Sequence, residues 1–243
     1  VAAVAGAGGA FVNVLAGGGS MLMVPALMLA GLPADAANAT SRVPIFAQCA
    51  TGAATFARAG RLERGPALDV APLAIVGALV GAYVATMVPN RIFEPLLVGT
   101  MIVMALALLL RPEALAPPPG TEPRHVMGRP VAMVTTLAAG FYGGVLQAGA
   151  GLVFLALLSG MLRYDLVRAN ALKAVVMLAY ITVTVVVFAV EGLIWWDMGL
   201  AMTAGAIVGA WGGARFALGR GQAWVKWIVV VMVVVTCVVV LLR

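Results

Sequence analysis

Ala74-Ile75-Val76-Gly77-Ala78 returns unchanged 132 residues later (74 to 206) as Ala206-Ile207-Val208-Gly209-Ala210. The same offset, without a gap, sets Ala7-Gly8 on Ala139-Gly140, Ala16-Gly17 on Ala148-Gly149 and Gly19 on Gly151. It also sets Ala37-Asn38-Ala39 on Ala169-Asn170-Ala171, Phe56 on Phe188, Gly60 on Gly192, and Leu109-Leu110-Arg111 on Leu241-Leu242-Arg243. A composition rich in Ala and Val yields chance identities of Ala and Val. It does not yield Asn on Asn, a shared block of five and several glycine pairs in one register. The chain therefore reads as two copies of one unit, 1–111 and 131–243. The segment 112–130, with Pro117-Pro118-Pro119-Gly120, is the polar linker between them.

Composition says where such a unit can live. The chain is 63% hydrophobic and only 10% charged, with mean hydropathy +1.09. So few charges cannot cover the surface of a water-soluble protein of this size. Val70–Val88, Leu96–Leu110, Leu172–Val190, Gly199–Leu218 and Trp227–Leu242 approach the ~20 apolar residues that a bilayer span needs. Lipid leaves no partner for open backbone, so these stretches are expected to be helices, even the β-branched run Ile228–Val235. The net charge of +6 comes from bases scattered singly through loops, which excludes a nucleic-acid interface and fits loops facing anionic lipid. Cys49 and Cys237 both lie in apolar stretches, and the single His125 lies in the linker. Neither a metal centre nor a cofactor site is expected from that material. Val1–Gly31 lacks a basic start and is interrupted by glycines, so it does not read as a secretory signal.

Equivalent loops of the two copies carry opposite charge character. Arg58, Arg61 and Arg64 in the first copy face Glu191, Trp195, Trp196 and Asp197 in the second. Gly31–Asp35 has no base, whereas its counterpart region has Arg163 and Arg168; the loop at Arg91 answers to one holding Arg215, Arg220 and Lys226. Basic loops stay on the cytoplasmic side, so the copies are expected to be inverted in the membrane. Inversion needs an odd number of crossings or a segment that leaves by the face it entered. Val1–Gly31 and Val131–Leu162, each of about 31 residues, are too long for one straight span. Both break at glycine, at Gly17-Gly18-Gly19-Ser20 and at Gln147-Ala148-Gly149-Ala150-Gly151. The expected fold is an all-α polytopic membrane protein of two inverted repeats. Each is a broken, re-entrant helical hairpin followed by three transmembrane helices.

Paired breaks of this kind point to a midplane site. A helix that starts after a glycine break offers free N–H groups and a positive dipole end to an anion. The alternative is that the glycines only permit close packing. Next come Asn38, Ser41, Arg42 and Gln48 on one helical face, and Asn170, Lys173 and Tyr180 on the corresponding one. A cation two turns into a span is costly in lipid, so Arg42 and Lys173 are expected to point at a hairpin tip or a substrate, unless both snorkel to the interface. Gly77-x-x-x-Gly81 and Gly209-x-x-x-Gly213 are small-residue faces that pack helices, within one chain or between two chains of a homodimer. All carboxylates sit in loops or near segment ends, so no buried acidic proton relay is visible.

Ala16-Gly17-Gly18-Gly19-Ser20-Met21-Leu22-Met23-Val24-Pro25, Gly31-Leu32-Pro33 and Ala37-Asn38-Ala39-Thr40-Ser41-Arg42 resemble the first-half signature of the TauE/SafE family. Phe56-x-x-x-Gly60-Arg61, Gly77-Ala78-x-x-Gly81-Ala82, Gly140-Phe141-x-Gly143-Gly144, Gly149-Ala150-Gly151 and Ala169-Asn170-Ala171-x-Lys173 extend the likeness over nearly the whole chain. The resemblance implies a bacterial inner-membrane permease for sulfite or organosulfonates, and not an enzyme. Two departures stand out: Gln147-Ala148-Gly149-Ala150-Gly151 replaces three consecutive glycines, and Leu157 replaces Pro25. The two tips are therefore expected to contribute unequally. An anion channel is the alternative to a carrier. An intramembrane hydrolase with Ser20 as nucleophile is remote, because the single histidine lies in the linker.

Overall fold

Left-handed backbone recurs at the offset of the sequence repeat. Gly17 and Gly149 have φ of 79° and 78°, Gly60 and Gly192 have 68° and 69°, and Gly31 at 101° is answered by Arg163 at 64°. The computed structural model describes residues 2–110 and 122–220, and among these there is helix and no strand. The helices are α1 (Ala2–Ala16), α2 (Ser20–Leu29), α3 (Ala34–Thr40), α4 (Arg42–Arg58), α5 (Arg64–Met87) and α6 (Asn90–Leu110). After the linker come α7 (Pro130–Val145), α8 (Ala150–Leu155) running on as a π-helical turn (Ala156–Met161), α9 (Leu166–Val190) and α10 (Trp196–Arg220). Two of them, over Gly65–Met87 and Leu166–Val190, are long and apolar enough to cross a bilayer. The expected span Trp227–Leu242, which holds Cys237, lies outside the described residues, as do Lys226 before it, Arg111 and 112–121 of the linker.

Helix bounds follow the offset, and where they depart the sequence supplies a cause. Ala34 to Arg58 corresponds to α9, but the first copy divides it at Ser41 into α3 and α4. Pro44 has no N–H to give Thr40, four residues back, and its ring crowds that carbonyl; the counterpart, Val176, does neither. The first copy thus has four helices after its hairpin rather than the expected three, the first of them only seven residues long. Asn38 sits inside α3 and Arg42 opens α4, whereas Asn170 and Lys173 lie within the body of α9, which starts at Leu166. Arg215, expected in a loop, stands on α10 with its guanidinium 4.3 Å from the Trp211 ring.

The hairpins are packed by exchange. α1 lies along α10 and its counterpart α7 lies along α5. The small-residue faces serve these contacts inside one chain. A Cβ on Gly205 or Gly209 of α10 would strike the backbone of α1 at Ala3 and Ala7, and one on Gly77 or Gly81 of α5 would strike α7 at Leu137 and Phe141. Without a hydrophobic drive between helices in lipid, such close backbone approach is what holds them together. Gly81→Leu is therefore expected to cost about 1–3 kcal/mol through overpacking. Gly99→Leu on α6, whose Cβ meets nothing within 4 Å, is expected to leave the thermal midpoint in detergent unchanged.

α4 and α9 cross the centre in opposite directions. The start of α4, at Arg42, meets Thr184 and Phe188 late in α9, while Gly52 further along α4 faces Ala174 early in α9. At one end of the bundle, Glu63 pairs with Arg168 at 3.2 Å, Asp69 meets His125 at 3.4 Å, and the Arg124 N–H bonds the Leu162 carbonyl at 2.8 Å. At the other, the Asp35 N–H donates to Asn90 and the Trp195 N–H to Thr40.

Candidate functional site

α1 stops at Ala16 and α7 at Val145, in the interior, and each leaves a set of C-terminal carbonyls and a negative dipole end. The breaks that follow touch one another. Gly17 lies directly on the backbone of Gly151, with no room for a methyl on either, and Gly18 sits beside Leu152. Gly19 fits against Gly9 and Asn13, which folds α2 back along α1. The buried Ser20 hydroxyl accepts from the Gly149 N–H at 3.0 Å and so ties one tip to the other. The first N–H groups of α2 and α8 bond to their own turns, Met21 to the Gly18 carbonyl at 3.0 Å and Leu152 to Gly149 at 2.9 Å. In this conformation those donors are spent locally rather than offered to an anion.

Arg42 closes the end of α7. Its Nη2 donates to the Gly144 carbonyl at 2.7 Å, and its Nη1 to the Gly143 carbonyl, Thr184 and Gln147 at 3.0, 3.1 and 3.2 Å. The Phe188 ring lies 4.5 Å from the guanidinium carbon, and only Nε lacks a partner. Asn38 completes the cap: its Nδ2 donates to Val145 at 3.0 Å and its Oδ1 accepts the Gln147 N–H at 2.8 Å. Ser41 donates back to the Asn38 carbonyl at 2.9 Å. Tyr180 stands 3.5 Å from the Gln147 amide and stacks on Phe154.

Lys173 does the same for α1. Its Nζ donates to the Asn13 carbonyl and to Asn170 Oδ1, both at 2.7 Å, with the Val14 carbonyl at 3.5 Å. Asn170 Nδ2 donates to the Leu15 carbonyl at 3.2 Å. Each copy thus lends a cation and an asparagine to the broken helix of the other, as the negative ends of those helices require. Arg42 is 0% exposed and Lys173 3%, so neither snorkels. No carboxylate is among the buried groups of the described residues.

The sequence-derived residues therefore fall into two clusters joined at the tips. Asn38, Ser41, Arg42, Gln147, Gly149 and Tyr180 surround the end of α7. Gly19, Gln48, Asn170 and Lys173 surround the end of α1, while Gly17, Ser20 and Gly151 join the two. Asn13 and Thr184 were not legible as site residues. Asn13 corresponds to Val145, so the repeat gives it no twin, and Thr184 reads as one more β-branched residue in Ile181–Val187. The sign that was available for Asn13 is its polarity within the otherwise apolar α1.

Comparison with known proteins matches residues 1–240 to the family described as Sulfite exporter TauE/SafE. A probable membrane transporter protein, ORF9, from Sinorhizobium sp is 28% identical over 91% of this chain and 84% of its own length. The probable membrane transporter protein YfcA of Escherichia coli K12 is 26% identical over 91% and 81%. A probable membrane transporter protein of Haemophilus influenzae is 24% identical over 91% and 86%. No solved structure matches the chain.

Proposed function

We propose, from the premise that the chain belongs to the sulfite exporter TauE/SafE family and is a membrane transporter, that it carries a small anion of the sulfite and organosulfonate class. The observation that carries this reading is the pair of interior cations, Arg42 and Lys173, set at the meeting of two broken helices with no buried carboxylate beside them. An interior of that sign attracts anions and repels cations.

The proposed arrangement is a multi-pass protein of the bacterial inner membrane, in two inverted repeats. The opposite directions of α4 and α9, which occupy equivalent places in the two copies, support the inversion. So does the gathering of Arg58, Arg61, Arg124, Arg129, Arg163 and Arg168 toward the end held by the Glu63–Arg168 pair, as expected for a cytoplasmic face. Alternating access then amounts to one copy rocking against the other. The tips meet through Gly17 and Gly151, and parting them opens a path to Lys173.

Uptake of radiolabelled sulfite into proteoliposomes tests the reading, with a carboxylate of similar size as the competitor. Sulfite uptake that saturates and is lost in Lys173→Ala is the expected result. Transport of the carboxylate alone would remove the sulfite and sulfonate assignment, and wild-type uptake by Lys173→Ala would remove the site.

A further inference from the structure

The two helix breaks are capped alike, but beside Lys173 there is unfilled polar space. A cavity of about 10 Å³ is lined by Asn13, Gln48, Cys49, Asn170 and Lys173, with apolar neighbours. It has room for roughly one water-sized group. Its walls are unsatisfied: Gln48, 1% exposed, has no partner for either end of its amide, and Asn13, 3% exposed, has none for Oδ1. Buried polar groups in native proteins are nearly always bonded, so three orphan atoms on residues that line one small space call for an occupant. The twin position is built differently. Tyr180 stands where the repeat places Gln48, and Val145 where it places Asn13. A stacked ring stands on that side, and both Nη atoms of Arg42 have acceptors there.

We propose that this cavity seats one oxygen atom of the transported oxyanion and selects the form of the anion that carries a proton on that oxygen. The proposal rests on the anion-transport reading above. Whichever way its amide is turned, Gln48 presents one donor and one acceptor, so the argument does not depend on how its nitrogen and oxygen are assigned. A bare anionic oxygen only accepts. It would satisfy the amide N–H and the third proton of Lys173, whose nearest other acceptor is the Val14 carbonyl at 3.5 Å. The amide oxygen of Gln48 would then face a negative atom. A hydroxyl oxygen accepts from Lys173 and the Gln48 N–H and donates its one proton to the Gln48 amide oxygen or to Asn13 Oδ1, so it pairs an acceptor that a bare oxygen leaves facing its charge.

The consequence is that the proton crosses on the substrate. A hydrogen oxyanion brings its own, and no buried acid need relay it. The titratable groups of the cavity wall are Lys173 from α9 and the Cys49 thiol from α4; α1 contributes only Asn13 and Val14.

The test uses two probes of the same charge and similar size, hydrogen sulfite and methanesulfonate, of which only the first has an exchangeable proton. They are titrated calorimetrically into the purified full chain in detergent at mildly acidic pH. Hydrogen sulfite is expected to bind at least about tenfold more tightly, since a site built to pair a hydroxyl rejects the analogue without it. Gln48→Met is expected to abolish that preference while raising the thermal midpoint of the ligand-free protein, because it removes two unpaired polar atoms at nearly constant volume. A residue kept only for packing would lower the midpoint instead. Lys173→Gln is expected to lose both anions. Equal affinity of the wild-type protein for the two probes overturns the proton selection and leaves anion transport standing. Binding of neither probe overturns both.

Discussion

Arg42→Met is expected to lower the unfolding free energy by about 3–5 kcal/mol, since each buried acceptor left unpaired costs about 1–3 kcal/mol. The substitution strips the Gly143 and Gly144 carbonyls, Thr184 and Gln147 of the donor they share, in a region that water does not reach. The Gly143 and Gly144 carbonyls then remain at the negative end of α7 without the cation that opposes them. Arg42→Lys is expected to restore only part of the loss. An ammonium is a point donor and cannot span two consecutive carbonyls and a hydroxyl as the planar fork does. Equilibrium unfolding in mixed micelles measures the effect, and wild-type stability in Arg42→Met would show that the α7 end is capped by something else. The same geometry separates the two cations. Arg42 is expected to report chiefly on stability and Lys173 chiefly on transport.

Gly17→Ala is expected to abolish transport and to destabilise the protein more than Gly149→Ala does. Both glycines hold left-handed backbone, at φ of 79° and 78°, which costs a residue with a Cβ roughly 1–2 kcal/mol. At Gly149 that is nearly the whole penalty, because the nearest atom, on the flexible Met104 side chain, lies 3.4 Å from the added carbon. At Gly17 the methyl also runs into the backbone of Gly151, which has no side chain to swing aside, so the tips are forced apart. Thermal midpoints of the two variants, with proteoliposome uptake, decide the matter. Equal losses at the two positions would mean that the tip contact contributes nothing beyond its backbone conformation.

Much of this was legible in the sequence because it rests on backbone rules. A left-handed position between two apolar helices admits glycine and little else, so the breaks at Gly17 and Gly149 announced themselves. A cation deep in an apolar run has to find acceptors, so Arg42 and Lys173 stood out, and the orphan carbonyls of a broken helix are the obvious ones. The division at Ser41 was also available, since Pro44 cannot bond Thr40, although the apolar run continues across it. What the sequence could not give is how far each cation is already satisfied. Arg42 and Lys173 look alike as buried bases, and only their surroundings in the fold reveal that both Arg42 Nη atoms are held by acceptors while Lys173 borders open polar space. Asn13 was hidden for the same reason. Its role depends on where α9 brings Lys173, a contact 160 residues away along the chain.

The exchange of hairpins has a consequence for how the protein is made. α1, the first helix described, finds its main partner in α10, the last, and α7 finds its own in α5. When the ribosome has released the first copy, α1 still lacks the helix it will lie against and the cation that will cap it. α5 likewise holds its groove open for a strand of chain not yet synthesised. Neither copy is a folding unit. Insertion into the membrane must run ahead of folding, with the first hairpin held in waiting until the second arrives to complete both at once.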